Sequence, residues 1–176
     1  MKDEIFLREL ERTDLAALNA WRADRELVGK LGSPFRYVNA EVDDTWFDAY
    51  LAGRSRTVRL AICARSTRAM VGVAYLLDID WVNRSAEFAI QLGDAAVRGR
   101  GIGTEATRLT LSHAFDDLNL HRLFLTVLAT NTHAIALYEK AGFRAEGLLR
   151  QAAFKEGRYV DAIPMALLAT ERPPLA

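Results

Sequence analysis

The sequence predicts an α+β fold, a single domain over residues 1–170 followed by a short tail at 171–176. Three observations lead there. Apolar runs at 57–64, 70–77 and 85–92 follow one another across short polar connections, as in a β-meander. Segments of helical period come before and after that meander. A glycine-rich stretch, Val97-Arg98-Gly99-Arg100-Gly101-Ile102-Gly103-Thr104-Glu105, joins the third run to a helical segment.

Residues 5–10 open the chain as a strand, with Ile5 and Leu7 alternating against Phe6 and Arg8. Thr13 and Asp14 offer N-cap chemistry to a helix that carries Leu15, Leu18 and Trp21 on one face. Gly29, Gly32 and Ser33-Pro34 break the chain into a loop before a second helix at roughly 40–51. The aromatics Trp21, Phe35, Tyr37, Trp46, Phe47 and Tyr50 either pack on a sheet or line a pocket.

The runs 57–64 and 70–77 form a hairpin through 65–68; 78–84 is a polar connection and 85–92 the next strand. Beyond the glycines, a helix over 104–118 turns Ala106, Leu109, Ala114, Phe115 and Leu118 inward. Residues 123–129 are almost continuously Leu, Phe, Thr and Val, which suits a strand buried on both faces. Asn131 caps a short helix through Tyr138 to Ala141, and Gly142 stops it. Strands at 143–149 and 159–168 close the domain around the turn Glu156-Gly157.

Composition narrows the function. A chain of 176 residues, 51% hydrophobic and 26% charged, has the make-up of a globular protein. Its 23 Lys and Arg balance 23 Asp and Glu, so no bulk field draws it to DNA or a membrane, and neither partner is expected. With Cys63 alone, no intrachain disulfide or Cys-based metal site can form. His113, His121 and His133 lack ligand spacing, and no metal is assigned. No apolar run is long enough to span a bilayer, and the start is charged from Lys2 onward, so a cytoplasmic protein is expected.

The glycine stretch is the strongest chemical signal. Glycines at alternate positions let successive N–H groups point into one concavity, and a helix opening just after adds its own unpaired N–H groups. Such a place binds phosphate oxygens, with Arg98 and Arg100 at its rim. A dinucleotide fingerprint needs a glycine where Thr104 stands, and a nucleoside-triphosphate loop needs a lysine after its last glycine. Neither fits. The remaining alternative to a phosphate cradle is a tight turn with solvated arginines.

Two motifs and the order of elements resemble the GCN5-related N-acetyltransferase (GNAT) superfamily. Arg98-x-x-Gly101-x-Gly103 matches its pyrophosphate signature, and Asn131-x-x-Ala134-x-x-x-Tyr138-x-x-x-Gly142-Phe143 matches its second. The stretches Asn83-Arg84-Ser85-Ala86-Glu87-Phe88 and Lys155-Glu156-Gly157-Arg158-Tyr159 look most like the group of ribosomal-protein N-terminal and spermidine acetyltransferases. The resemblance implies a central, mostly antiparallel twisted sheet with helices on both faces. It also implies acetyl-CoA, as acetyl donor, in the cleft where the central strands splay.

Cofactor contacts then fall to Arg98, Gly99, Arg100, Gly101, Gly103 and Thr104 for the pyrophosphate, and to Ile90 and Leu92 for main-chain pairing with pantetheine. Asn131, Ala134 and Tyr138 complete that set. Homodimers occur in the resembled group. The implied reaction is direct attack of a primary amine on the thioester. Tyr138 is the candidate general acid, with an unperturbed phenol pKa near ~10; otherwise it simply packs on the sheet. Glu87 is the candidate general base, its carboxylate made more basic by apolar neighbours; otherwise it is an outward-facing polar residue on the pleat. Asn131 is a cap with or without a cofactor contact.

The acceptor stays open between a protein or peptide N-terminus, an amino-sugar nucleotide and another small amine. In loop 31–37 Arg36 stands where a polyamine site would want carboxylates, which disfavours a polyamine. Two function classes result: an acetyl-CoA-dependent amine N-acetyltransferase, or a non-catalytic CoA-binding module used for sensing or assembly.

Overall fold

The computed structural model describes residues 4–93, 97 and 99–173. Eight strands make one sheet: β1 (Ile5–Glu9), β2 (Val58–Ala64), β3 (Met70–Asp80), β4 (Ser85–Leu92), β5 (Arg122–Leu128), β6 (Arg144–Ala145), β7 (Leu149–Lys155) and β8 (Arg158–Leu168). Their order is β1-β2-β3-β4-β5-β8-β6, with β7 also paired to β8. Every pairing is antiparallel except that of β4 with β5. That pair is parallel because the chain leaves β4, crosses one face as a helix and returns in the same sense.

The helices are α1 (Leu15–Ala23), α2 (Arg25–Gly29), α3 (Ala40–Ala52), α4 (Ile102–Ser112) and α5 (Thr132–Lys140). Strand alternation divides them between the faces. Ala61, Cys63 and Val73 point to one side and meet Leu15 and Leu18 of α1 with Phe47 and Tyr50 of α3. Ile62, Ala74, Leu76 and Phe88 point to the other, against Ala106 and Leu111 of α4 and Tyr138 of α5. Ile62, Leu76, Phe88 and Leu123 are fully buried, each contributing roughly 1.5–3 kcal/mol by transfer from water. The expected mostly antiparallel sheet with helices on both faces is what forms.

Boundaries move where local chemistry overrides the apolar pattern. Helix α4 begins at Ile102, two residues before the expected start, because Gly101 takes a left-handed conformation (φ 80°) and caps it. Strand β3 runs on to Asp80, with an irregularity between Leu77 and Asp80 where Asp78 has φ 50°. The strand expected at 143–149 is instead two: a two-residue β6 and, after Gly147 and Leu148, β7. It is β7 that meets β8 through Glu156-Gly157, both with positive φ, as a two-residue hairpin requires.

The short helix α2 was hidden in the sequence. Asp24 caps it by accepting from the Leu27 N–H at 3.1 Å, and Leu27 and Val28 are buried. Asp14 bonds the Glu11 N–H (2.8 Å) and takes both Nη groups of Arg8 (2.7 and 2.8 Å). Burial alone would push Asp14 up, but those donors hold it below the usual carboxylate range. At the other end the expected tail is docked as far as it is described. Arg172 pairs with Asp116 at 2.6 Å, Glu171 with Arg144 at 2.7 Å, and Pro173 lies where a Cβ on Gly142 would fall.

Candidate functional site

The site is organised by a fork in the sheet. Strands β4 and β5 pair at only three positions, Ser85 with Arg122, Ala86 with Leu123 and Glu87 with Phe124. Beyond that point β4 pairs only with β3, and β5 only with β8. The inner edges of 88–92 and 125–128 therefore part, leaving main-chain groups with no strand partner among the described residues. An extended ligand bearing amides can add to such an edge. Ile90 and Leu92 lie on this stretch of β4 and turn their side chains toward α4.

Past β4 the chain reaches the glycine loop. Gly99 has φ 74° and Gly101 φ 80°, and a Cβ on either would meet no described atom within 4 Å beyond its chain neighbours. The Glu105 N–H already bonds the Gly101 carbonyl at 3.0 Å. The amides of Ile102, Gly103 and Thr104 are then the ones that the first turn of α4 leaves without a helical acceptor. Gly103 thus belongs to the helix rather than to the loop. Its Cβ position lies 3.6 Å from Leu92 and 3.7 Å from Leu137, which puts α4 close to both β4 and α5. Open space above two left-handed glycines, next to free amides at a helix start, fits a diphosphate. Arg98 lies outside the described residues. Arg100 is exposed, and its guanidinium is 3.7 Å from the Glu4 carboxylate.

Gly101→Ala should raise the dissociation constant for acetyl-CoA about tenfold or more, measured by calorimetry. The left-handed backbone should cost the fold only about 1 kcal/mol, because among the described residues nothing opposes the new methyl. An unchanged affinity would mean that the loop is not the pyrophosphate cradle.

Glu87 and Phe88 sit at the fork itself and, as neighbours on a strand, point to opposite faces. Glu87 is half-buried on the face that carries α1 and α3. Among the described residues it has no hydrogen bond or ion pair. Burial, and secondly the nearby charge of Asp78, push its carboxyl above the usual range. Phe88 faces α5. Its ring meets Tyr138 edge-on at 6.2 Å and stacks on Phe143 at 5.9 Å. Tyr138 is 8% exposed, and burial pushes its phenol up to about 12. The candidate acid and the candidate base therefore flank the fork from opposite sides of the sheet.

Asn131 caps α5, its Oδ1 accepting from the Ala134 N–H at 3.1 Å. Its Nδ2 donates to the Lys30 carbonyl at 3.0 Å, which ties the loop after α2 to the start of α5. Lys155 of β7 adds a second tie, its Nζ donating to the Val28 carbonyl at 3.3 Å. Burial lowers the pKa of that ammonium. A cation and an amide thereby tie the end of α2 to β7 and to the start of α5.

Sequence reasoning passed over a second group on the Glu87 face. Arg59 of β2 pairs in register with Tyr75 of β3, and Tyr75 with Ala89 of β4, two residues from Glu87. The Arg59 guanidinium lies 4.4 Å from the Trp46 ring centre, 4.9 Å from that of Tyr75 and 5.5 Å from that of Tyr50. The signal was available, since Arg59 is a lone charge inside the apolar run 58–64. Among the described residues no cluster of His, Cys, Asp and Glu could hold a metal ion. No helix there is long and apolar enough to cross a membrane.

Comparison with known proteins places this geometry. The sequence profile of the family described as Acetyltransferase (GNAT) domain matches residues 4–144. The chain is 28% identical to spermidine N(1)-acetyltransferase of Vibrio cholerae over 172 residues, 97% of this chain and 96% of that one. It is 36% identical to L-amino acid N-acetyltransferase AaaT of Escherichia coli over 168 residues, 93% of this chain and 97% of that one. The crystal structure of the Vibrio cholerae spermidine acetyltransferase with CoA and spermine superposes with a TM-score of 0.89. That match has 27% identity and covers 96% of this chain and 97% of the other. With the family profile spanning most of the chain and a CoA complex of the same fold, this protein belongs to the GNAT family of acetyltransferases, and acetyl-CoA is its acetyl donor.

Proposed function

We propose that this protein acetylates a small primary amine at the fork between β4 and β5, with Glu87 as base and Tyr138 as acid. The single observation that carries the reading is the placement of a half-buried carboxylate, unpaired among the described residues, and a buried phenol on opposite sides of the same strand pair. Acetyl-CoA supplies the activated acetyl group as a thioester. Amides of 102–104 and the left-handed glycines would hold its diphosphate, and the free edge of β4 would hold its arm.

The residues divide the proton work. An alkyl amine arrives as an ammonium at neutral pH. Glu87 accepts one proton, and the freed lone pair forms the N–C bond as the C–S bond breaks. Tyr138 gives its proton to the departing sulfur, and solvent returns to the phenol the second proton lost by nitrogen. A non-catalytic CoA-binding module has no use for either group, and relatives named as acetyltransferases lend that alternative no support.

The acceptor is where the relatives divide, one being named for spermidine and another for L-amino acids. Arg36 in loop 31–37 disfavours a polyamine. Two observations restore it as a second reading: the named relatives, and the adjoining charges of Glu87 and Asp78, which suit a cation. The test is release of free CoA thiol from acetyl-CoA with a panel of amines including spermidine, peptides, amino acids and amino sugars. Turnover with at least one amine is expected. Tight CoA binding with no thiol release from any of them would overturn the assignment of Glu87 and Tyr138 as base and acid.

A further inference from the structure

The Glu87 face of the sheet carries a cation with no counter-ion among the described residues. The other guanidiniums with close partners show what is normal in this chain: Arg8 pairs with Asp14, Arg54 with Glu9, Arg108 with Glu105 and Arg122 with Glu146. Arg22, stacked at 4.8 Å on the Trp46 ring, is ion-paired with the fully buried Asp43. Arg59 stacks on the same ring, yet no described carboxylate lies within ion-pair distance of it. Its Nε is buried and makes no hydrogen bond.

Burial holds the Arg59 pKa below its ordinary value, and the neighbouring Tyr75 and Tyr50 offset this only in part. The guanidinium stays protonated all the same, since arginine does not lose its proton in proteins. The rings of Trp46, Tyr75 and Tyr50 offset part of the desolvation but supply no anion. The Tyr75 phenol beside it, pushed up to about 12 by burial, is neutral and does not pair with it as a charge. An uncompensated charge with an orphaned donor is costly to bury and points to a ligand that completes it.

Arg59 and Glu87 lie on one face, two strands and two residues apart, which strand geometry puts at about 12 Å between backbones. Tyr75 lies in register between the two strands that carry them, so a ligand joining the two charges would run beside its ring. We propose that Arg59 receives an anionic group of the acceptor while Glu87 receives its ammonium, so that the preferred acceptor is a primary amine that also carries a carboxylate or a phosphate. This rests on acetyl transfer at the fork. It adds that the site reads charge at both ends of the acceptor, with carboxylates at one end and a guanidinium at the other.

The experiment compares matched acceptors in wild type and Arg59→Met. The pairs are an amino acid with its methyl ester and an amino-sugar phosphate with the free amino sugar, with spermidine as the purely cationic case. Thiol release gives kcat/KM, and thermal shift in the presence of CoA gives binding without turnover. Wild type should favour one anionic member over its neutral partner by about tenfold or more, mainly through KM. Whether the carboxylate or the phosphate pair shows the larger preference identifies the anion. Arg59→Met should lose the preference while its rate on the neutral partner stays within about twofold, and Arg59→Lys should keep part of it.

An undiminished preference in Arg59→Met would overturn the proposal, and so would a wild type that turns over the ester or spermidine better than either anion. If no amine releases thiol, the acetyl-transfer reading falls by itself. The thermal shift still decides the anion site: stabilisation by the anionic member in wild type, absent in Arg59→Met, supports it, and equal shifts sink it. The melting temperature of each variant without ligand separates a lost contact from a lost fold.

Discussion

Tyr138→Phe is expected to lower kcat by about 10²–10³-fold while leaving acetyl-CoA affinity within about twofold. The substitution removes a hydroxyl and nothing else. The edge-on contact with Phe88 and the tilted contact with Phe143 are made by the ring and survive. Among the described residues the hydroxyl has no hydrogen-bond partner to leave unsatisfied, so the melting temperature should hold as well.

The structure also changes what is expected of the proposed acid. From sequence alone the phenol was placed near ~10, within easy reach of an alkyl thiol near ~8.5. Burial pushes it up to about 12. Tyr138 therefore stays protonated through the working range and cannot release its proton early. In the proposed role its donation should accompany the build-up of charge on sulfur, and no alkaline fall in rate should trace to Tyr138 below its own pKa. A variant with unchanged kcat in single-turnover measurements would remove Tyr138 from the chemistry and leave it as packing.

Glu87→Gln should show the second large effect, a fall of about 10²–10³-fold in kcat/KM near neutral pH together with a changed pH profile. In the proposed role its working form is the carboxylate. Burial first, and Asp78 second, raise the pKa above that of an ordinary glutamate. Wild-type rate should accordingly fall as pH drops through that raised value, and this limb should be missing from Glu87→Gln. At alkaline pH, where the amine begins to deprotonate on its own, the variant should recover toward wild type.

Stability supplies the control. A carboxyl whose folded pKa is raised contributes stability at pH below its unfolded value and loses it as pH rises through the folded one. Ionised Glu87 is thus a burden at neutral pH, and the neutral amide should melt no lower than wild type there. Equal pH profiles for the two proteins would refute the assignment of Glu87 as base.

How much of this was legible varies residue by residue. Asn131 read as a cap because capping depends on a side chain and an N–H three residues on, both in one short stretch. Its second bond, to the Lys30 carbonyl, joins positions 101 apart and left no trace in the local pattern. Gly101 was recognisable as a turn glycine, yet its role as the cap of α4, which draws Gly103 into the helix, depends on the backbone angle itself. The strand after Phe143 was misplaced because apolar content there says nothing of where pairing with β8 resumes beyond Gly147. Arg59 was visible as a charge in an apolar run, but nothing in the sequence says that no carboxylate approaches it.

By itself the sequence determined what local chemistry encodes: the α+β class, the meander, the glycine loop opening a helix, the cap at Asn131 and the residue types needed for acetyl transfer. Each depends on backbone preferences and side-chain spacing within one or two turns or a single strand. Tertiary structure alone decided that β4 and β5 part after Glu87, that Glu87 and Tyr138 face the fork from opposite sides, and that Arg59 is caged by rings with no anion among the described residues. These depend on which distant segments pair and how far, and on burial, and a charge's surroundings exist only once the sheet has closed over it.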